Sequence, residues 1–292
     1  MFDEHFKSFF EKVIFQSTGV ETEEIDFSFV AGGCINNTVK LSCKAGVFFL
    51  KWNESAPAGM FEVEARGLKL LQSTGAVRVP EIINTGSAEG KSYLLLEFLA
   101  PGRKATSYAE TLGRELAALH QNSSPFFGLD HDNYIGRLPQ KNETKPSWAN
   151  FFIECQLKPQ VGLAAYNGLI ANDTVLRFEA FYDKLPALFP EEPPSLLHGD
   201  LWSGNVHTGP DGHAWLIDPA VYFGHREMDL AFTQLFGGFE PSFYSAYHES
   251  FPLQPGWEER TDLCNLYPLM VHVNLFGTSY LAAVERTLSR YI

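Results

Sequence analysis

Leu197-His198-Gly199-Asp200-Leu201-Trp202-Ser203-Gly204-Asn205, joined further on by Leu216-Ile217-Asp218-Pro219, is the stretch on which the reading of this chain turns. One Asp leads, an Asn follows five residues later, and a second Asp closes a predicted strand. Phosphoryl transfer needs a carboxylate to receive the acceptor hydroxyl's proton and hard oxygen ligands to hold Mg²⁺ on a nucleotide. Any one of these side chains alone reads more simply as a helix cap or a turn residue. Together, in this order and spacing, they have the layout of a phosphotransferase centre.

Outward from that stretch, residues 205–208 and 213–217 read as a hairpin turning through Gly209-Pro210-Asp211-Gly212, a turn-forming composition. Such a hairpin would deliver Asn205 and Asp218 to the same end of two paired strands. Upstream, residues 108–120, 148–168 and 173–188 have helical patterning, and the chain beyond about residue 227 is helical again. The first hundred residues are β-rich: strands are predicted at 27–30, 38–43, 47–52, 78–85 and 92–98, with one helix at 61–73. Pro101-Gly102 breaks the pattern. Two domains are therefore expected, a nucleotide-binding lobe at 1–99 and a catalytic and substrate lobe at 100–292.

The β-rich part holds the other half of a nucleotide site. In Phe48-Phe49-Leu50-Lys51-Trp52 strand alternation puts Lys51 with Phe49 and apart from Leu50. A lone strand lysine is ordinarily a snorkelling surface residue. Glu64 changes that reading, because it shares a helix face with Phe61, Leu68 and Leu71. A carboxylate in an apolar stripe is costly unless a cation pairs with it, and Lys51 is the natural partner. Ahead of them, Gly32-Gly33-Cys34-Ile35-Asn36 stands between two predicted strands, where adjacent glycines let backbone N–H groups approach phosphate oxygens. A plain hairpin turn explains that stretch equally well. By position, the backbone of Glu97 and Leu99 would read an adenine edge.

Composition narrows the partners. A formal net charge of −13 over 292 residues argues against nucleic acid or an anionic membrane as the main partner, since both reward Lys/Arg clusters. No run of about eighteen apolar residues predicts a membrane span. The amphipathic start, with Phe2, Phe6, Phe9, Phe10, Val13 and Ile14 at helical spacing, lacks the basic lead of an export signal. Four cysteines form no CxxC pair, which suits a reducing cytoplasm. Cys34, set among backbone donors that favour an anion, is also a candidate redox site.

The chain resembles the fructosamine/ketosamine-3-kinase family, relatives of the aminoglycoside and choline kinases within the protein-kinase-like fold. The phrases that carry the resemblance are Gly32-Gly33-Cys34-Ile35-Asn36, Phe61-Glu62-Val63-Glu64-Ala65-Arg66-Gly67-Leu68 and Asp132-Asn133-Tyr134-Ile135-Gly136, then Leu196 to Asn205 and Asp218-Pro219-Ala220-Val221-Tyr222. Arg226-Glu227-Met228-Asp229-Leu230 and Leu235-Phe236-Gly237-Gly238-Phe239 complete the set, so that nearly the whole chain is covered. The resemblance implies an α+β, bilobal protein-kinase-like fold with a β-rich N-lobe carrying one key helix and a mainly helical C-lobe. It implies ATP- and Mg²⁺-dependent phosphorylation of the sugar 3-hydroxyl of ketoamines, either small molecules or glycated protein side chains. The 3-phosphate would make the adduct labile, a deglycation activity.

The same resemblance implies residue roles. Asp200 would be the catalytic base, Asn205 and Asp218 the Mg²⁺ ligands, and Lys51 with Glu64 the phosphate clamp. Residues 32–36 would form the phosphate loop. Asp229 would brace the catalytic turn, and His198 would organise it. Trp202, two residues from the proposed base, is the candidate for the acceptor sugar or its amine, with Tyr222 a weaker one. Other readings are a different small-molecule kinase of the aminoglycoside or choline type, and a non-catalytic nucleotide-binding module.

Overall fold

The computed structural model describes residues 2–30 and 35–292, with side chains from Phe6 onward. Two compact units emerge, residues 1–108 with 206–218, and residues 109–205 with 219–292.

The first unit is built on a five-stranded antiparallel sheet. Its strands are β1 (Asp26–Phe29), β2 (Asn37–Cys43), β3 (Gly46–Asn53), β4 (Ile82–Ala88) and β5 (Lys91–Glu97), in the order β1-β2-β3-β5-β4. Alternation in β3 sends Phe48, Leu50 and Trp52 to one face. There helix α1 (Phe2–Thr18) covers them with Phe9, Phe10, Val13 and Ile14, all buried. The rings of Phe9 and Phe10 lie 6.0 and 5.7 Å from that of Trp52. Phe49 and Lys51 point the other way. Helix α2 (Met60–Ser73) packs against β4 and β5 and buries Phe61, Leu68 and Leu71, the stripe expected from its spacing.

The strand expected at 78–85 begins only at Ile82. Pro80 lacks the N–H a ladder needs, and the register shifts between Ile82 and Asn84. Arg78 pairs instead with a later hairpin, accepting from the N–H of Leu216 at 2.8 Å. That hairpin, Val206–Thr208 against Ala214–Leu216, belongs to the first unit. So does the chain as far as Tyr108, because Gly102 and Ala105 donate their N–H groups to Thr208 and Gly212. The unit thus runs past the boundary expected at residue 99.

The second unit is mainly helical. Helix α3 (Tyr108–His120) has the predicted span. The helix expected at 148–168 has three parts, Trp148–Phe151, a π-turn at Phe152–Leu157, and Lys158–Tyr166. Pro159 has no N–H to give the Cys155 carbonyl, and the backbone just before it widens to i→i+5 bonding. The next helix, Asn172–Tyr182, stops short of 188 and passes into a 3-10 turn holding Pro186. Beyond Glu227 the chain is helical, as its patterning predicts. Two short ladders escaped the sequence reading. Asn133–Ile135 pairs with Leu138–Gln140, and Ser195–Leu197 with Tyr222–Gly224. Among the described residues no helix is long and apolar enough to cross a membrane.

Candidate active site

The strand Ser195–Leu197 delivers the chain into the turn His198-Gly199-Asp200. Gly199 has φ +82°, and a Cβ there would stand 2.1 Å from the Ala220 carbonyl oxygen, so only glycine fits. The N–H of Ala220 in turn donates to His198 O at 2.9 Å. Asp229, in the first turn of the helix Glu227–Leu235, accepts from His198 N at 2.8 Å and from Gly199 N at 2.9 Å, one bond on each carboxylate oxygen. His120 Nε2 adds a third contact at 3.2 Å and turns its Nδ1 to the Tyr247 hydroxyl at 2.8 Å. Burial alone would raise the Asp229 carboxyl, but His120 and the Gly199 N–H outweigh it and hold it below the ordinary carboxylate range.

Asp200 is fixed from the other side. Asn205 Nδ2 donates to the backbone carbonyl of Asp200 at 2.8 Å and to its Oδ2 at 3.0 Å. His198 Nδ1 accepts from Asp200 N at 3.3 Å, so the ring braces the turn. A short 3-10 turn, Ser203–Asn205, brings Asn205 back toward Asp200.

In the first unit Lys51, Glu64 and Asp218 meet. Lys51 Nζ donates to Glu64 Oε1 at 2.7 Å and to Asp218 Oδ1 at 2.8 Å. The Lys51 and Glu64 side chains are 5% and 11% exposed, while Asp218 keeps 42%, enough to offer its carboxylate to solvent or a ligand. Burial opposes the Lys51 charge, yet the two carboxylates overcome it and hold the ammonium above its ordinary range. Burial likewise pushes Glu64 up against the pull of Lys51. Asp218 sits at φ +54°, a left-handed conformation that Asp tolerates better than most residues.

Of the expected phosphate loop, Gly32, Gly33 and Cys34 lie outside the described residues. Ile35 and Asn36 are tied back by Asn53, whose Nδ2 donates to Ile35 O at 3.2 Å and Asn36 Oδ1 at 3.1 Å. Glu97 spends its N–H on Glu81 O at 3.0 Å and accepts from Glu81 N with its carboxylate. Its N–H is therefore engaged already. Leu99 follows just past the strand, half-buried.

Trp202 is half-buried, its ring edge-on to Phe236 at 6.0 Å, and Phe236 in turn packs on His272 at 4.9 Å. Tyr222 does not fit the substrate role expected for it. It is 1% exposed, stacks on Phe151 at 5.5 Å inside the helical core, and burial pushes its phenol well up. The residue forms core because it follows Ala220-Val221 into the ladder against Leu197.

Two supporting residues went unread in the sequence. Asn53 had no signal beyond a strand end. His120 had one: it falls at i+4 and i+8 from Leu116 and Leu112 on a buried helix stripe, where an imidazole needs a partner.

Comparison with known proteins agrees across the chain. The family model for fructosamine kinase matches residues 7–292. A protein of Enterococcus faecium named as a probable ketoamine kinase is 40% identical over 266 residues, 90% of this chain and 94% of its own. The chloroplastic protein-ribulosamine 3-kinase of Arabidopsis thaliana is 37% identical, covering 94% of this chain and 85% of its own. A solved structure from Thermobifida fusca, named provisionally as a fructosamine-3-kinase, superposes with a TM-score of 0.85 at 33% identity and 96% coverage of both chains. An aminoglycoside phosphotransferase superposes at 0.60 with 13% identity, covering 97% of this chain and 98% of its own. The fold is protein-kinase-like.

Proposed function

The chain belongs to the fructosamine kinase family, and we propose that it phosphorylates the 3-hydroxyl of ketoamines, free or protein-bound. It is an ATP-dependent kinase. The observation that carries the reading is the turn at 198–205, where Asp229 holds the backbone N–H groups of His198 and Gly199 and Asn205 holds Asp200 itself.

Asp200 is the proposed base. Held by Asn205, it accepts the acceptor hydroxyl's proton as the oxygen attacks the γ-phosphorus of ATP, and ADP leaves. Lys51, oriented by Glu64, is the proposed cation for the nucleotide phosphates, with residues 32–36 around them. Mg²⁺ is part of the same proposal, with Asn205 and Asp218 as its protein ligands. Two hard oxygens suit an ion that takes its other ligands from phosphates and water. Asp218 is partly exposed, and Asn205, whose Nδ2 is engaged with Asp200, points its amide oxygen elsewhere. The metal would neutralise charge building on the phosphates.

Trp202 is the proposed acceptor-side residue, its indole face suited to a sugar ring or the ketoamine's ammonium. A phosphate on C3 leaves more readily than hydroxide from the 1,2-enaminol of a ketoamine, so the product would eliminate phosphate and hydrolyse to release the amine. A reducing cytoplasm suits the free thiols of Cys43, Cys155 and Cys264.

The test is a panel of fructosamine, ribulosamine and erythrulosamine adducts with ATP and Mg²⁺, followed by NMR location of the product phosphate. ADP formation with the phosphate on C3 is expected. Turnover of aminoglycosides or choline, with none of any ketoamine, overturns the reading.

A further inference from the structure

The phrase Asp132-Asn133-Tyr134-Ile135-Gly136 has no part in the chemistry above, yet it leads to the catalytic turn. Asn133 and Gln140 face one another across the short ladder of Asn133–Ile135 and Leu138–Gln140. Both amides are buried, at 5% and 1% exposure. Asn133 Nδ2 donates to Val221 O at 2.8 Å, and Gln140 Nε2 donates to Ala220 O at 3.0 Å. The second hydrogen of Gln140 goes to Asn133 Oδ1 at 2.8 Å, which also accepts from Asn142 Nδ2 at 2.8 Å. The Tyr267 hydroxyl then donates to Gln140 Oε1 at 2.8 Å.

The direction of every bond is fixed. Ala220 O and Val221 O can only accept, so each amide must turn its NH₂ toward them. Gln140 Oε1 is thereby left facing Tyr267, and both hydrogens and the carbonyl of Gln140 are used. Rotating that amide would break all three bonds in a buried place, where each lost partner is costly. Ala220 and Val221 follow Asp218 by two and three residues. The Ala220 carbonyl that Gln140 grips is the same oxygen against which Gly199 leaves no room for a Cβ, and the Ala220 N–H holds His198 O. A shift of Ala220 therefore moves the backbone on which Asp200 stands.

We propose that Gln140 is a positioning residue for the catalytic turn, with Asn133 and Tyr267 setting its orientation. It touches no substrate. It pins the Ala220 carbonyl, and Ala220 sets the height of His198-Gly199-Asp200. The proposal rests on Asp200 being the base, and it gives the Asp132–Gly136 phrase a task, to present Asn133 and Gln140 as a rigid cross-strand pair.

The test uses Gln140→Met, close in length and apolar, and Tyr267→Phe, which keeps the ring and deletes only the donor to Gln140. Turnover, KM for ATP and melting temperature are measured for each, alone and in an Asp200→Asn background. Because ångström-scale misplacement of a reacting group can cost up to about a hundredfold, kcat is expected to fall about tenfold in Gln140→Met and a few-fold in Tyr267→Phe. KM for ATP should stay within about twofold. In the Asp200→Asn background the residual kcat should change by less than about twofold, while the melting shift persists, as non-additivity through a shared group requires.

Equal fold-losses in both backgrounds would make the network structural and overturn the proposal, as would kcat within twofold of wild type in Gln140→Met. If Gln140→Met does not fold, Tyr267→Phe decides by the same criteria. Failure of the base assignment has its own signature, near-normal kcat in Asp200→Asn alone.

Discussion

Lys51 Nζ stands 2.8 Å from Asp218 Oδ1, two side chains 167 residues apart in sequence. Glu64 holds the same ammonium at 2.7 Å. One cation thus serves two carboxylates of different kinds, one almost fully buried in the helix stripe and the other open to solvent. Glu64 fixes where Lys51 points. Asp218 is the partner with freedom to exchange Lys51 for another cation, because its carboxylate is open to solvent while that of Glu64 is not.

That asymmetry predicts different phenotypes for the two carboxylates. Asp218→Asn keeps a residue that tolerates φ +54° and loses only the charge. Little change in melting temperature is expected, since an exposed carboxylate in an ion pair contributes only about 0–1 kcal/mol. Mg²⁺-dependent ATP binding should be lost. A magnesium titration of ATP binding by calorimetry checks this, and an unchanged Mg²⁺ dependence removes Asp218 from the metal site.

Lys51→Met should behave in the opposite way. It strands Glu64 in an apolar stripe, and removing one partner of a buried pair costs about 3–5 kcal/mol. Glu64 is already pushed up by burial, and without the ammonium its carboxyl rises further. A folded-state pKa raised for an acid means stability present at low pH and lost as pH rises from the unfolded value toward the folded one. Urea melts of Lys51→Met should therefore show greater stability at acid than at neutral pH. Adding Glu64→Leu should restore much of the loss at neutral pH. A single variant with wild-type stability would show that the pair carries no structural weight.

For Asp200, the informative change is Asp200→Asn. The backbone carbonyl still accepts from Asn205 Nδ2, and the new amide oxygen can replace Oδ2 in the second bond. The turn is therefore expected to survive with ATP affinity intact, while kcat falls by about 10²–10⁴, the usual worth of a positioned base. Rapid-quench measurement of ADP formation separates this outcome from slow product release.

Asp229→Asn tests the brace rather than the chemistry. Two backbone N–H groups converge on the two carboxylate oxygens, and an amide offers only one acceptor. One buried donor is left facing an NH₂, a loss of about 1–3 kcal/mol. The Asp229 carboxyl is held below its ordinary range, so its stabilisation is present above the unfolded value of about 3.9 and fades as pH falls through the lower folded value. The melting gap between wild type and variant should consequently be widest near neutrality and shrink in strong acid. A gap that grows with acidity would contradict this account of Asp229.

How far the sequence could be read follows from where each residue's environment is encoded. Lys51 and Glu64 were readable because a charge at a periodic apolar position demands a partner, and periodicity is local. That Asn205 returns to Asp200, and that a hairpin ends just before Asp218, was readable because one turn and one hairpin dictate those spacings. Asp218 as a second partner of Lys51 was not, since nothing local encodes a contact 167 residues long. Tyr222 misled because an aromatic residue near the motif looks the same whether it faces a ligand or Phe151. The three-residue ladders were too short for any alternation to register, and with them went the role of Gln140. Pro159 and Pro186 were visible, yet a helical pattern running through each masked the break.

Gly204→Ala offers the sharpest test of Trp202. A Cβ on Gly204 would fall 2.3 Å from the six-membered ring of the indole, and the backbone there carries no left-handed requirement. The clash is with the far end of a side chain, so the ring yields and the fold stays. Displacement from its edge-on contact with Phe236 should register as a change in tryptophan fluorescence. If the indole meets the ketoamine's ammonium, an interaction worth about 0.5–2 kcal/mol is weakened, and KM for the acceptor rises roughly twofold to thirtyfold. KM for ATP and the melting temperature should hold, because neither Lys51 nor the Asp229 brace is touched. Trp202→Ala should go further in the same direction. A fluorescence change without any rise in acceptor KM would take Trp202 out of the acceptor site and leave it as packing for Phe236.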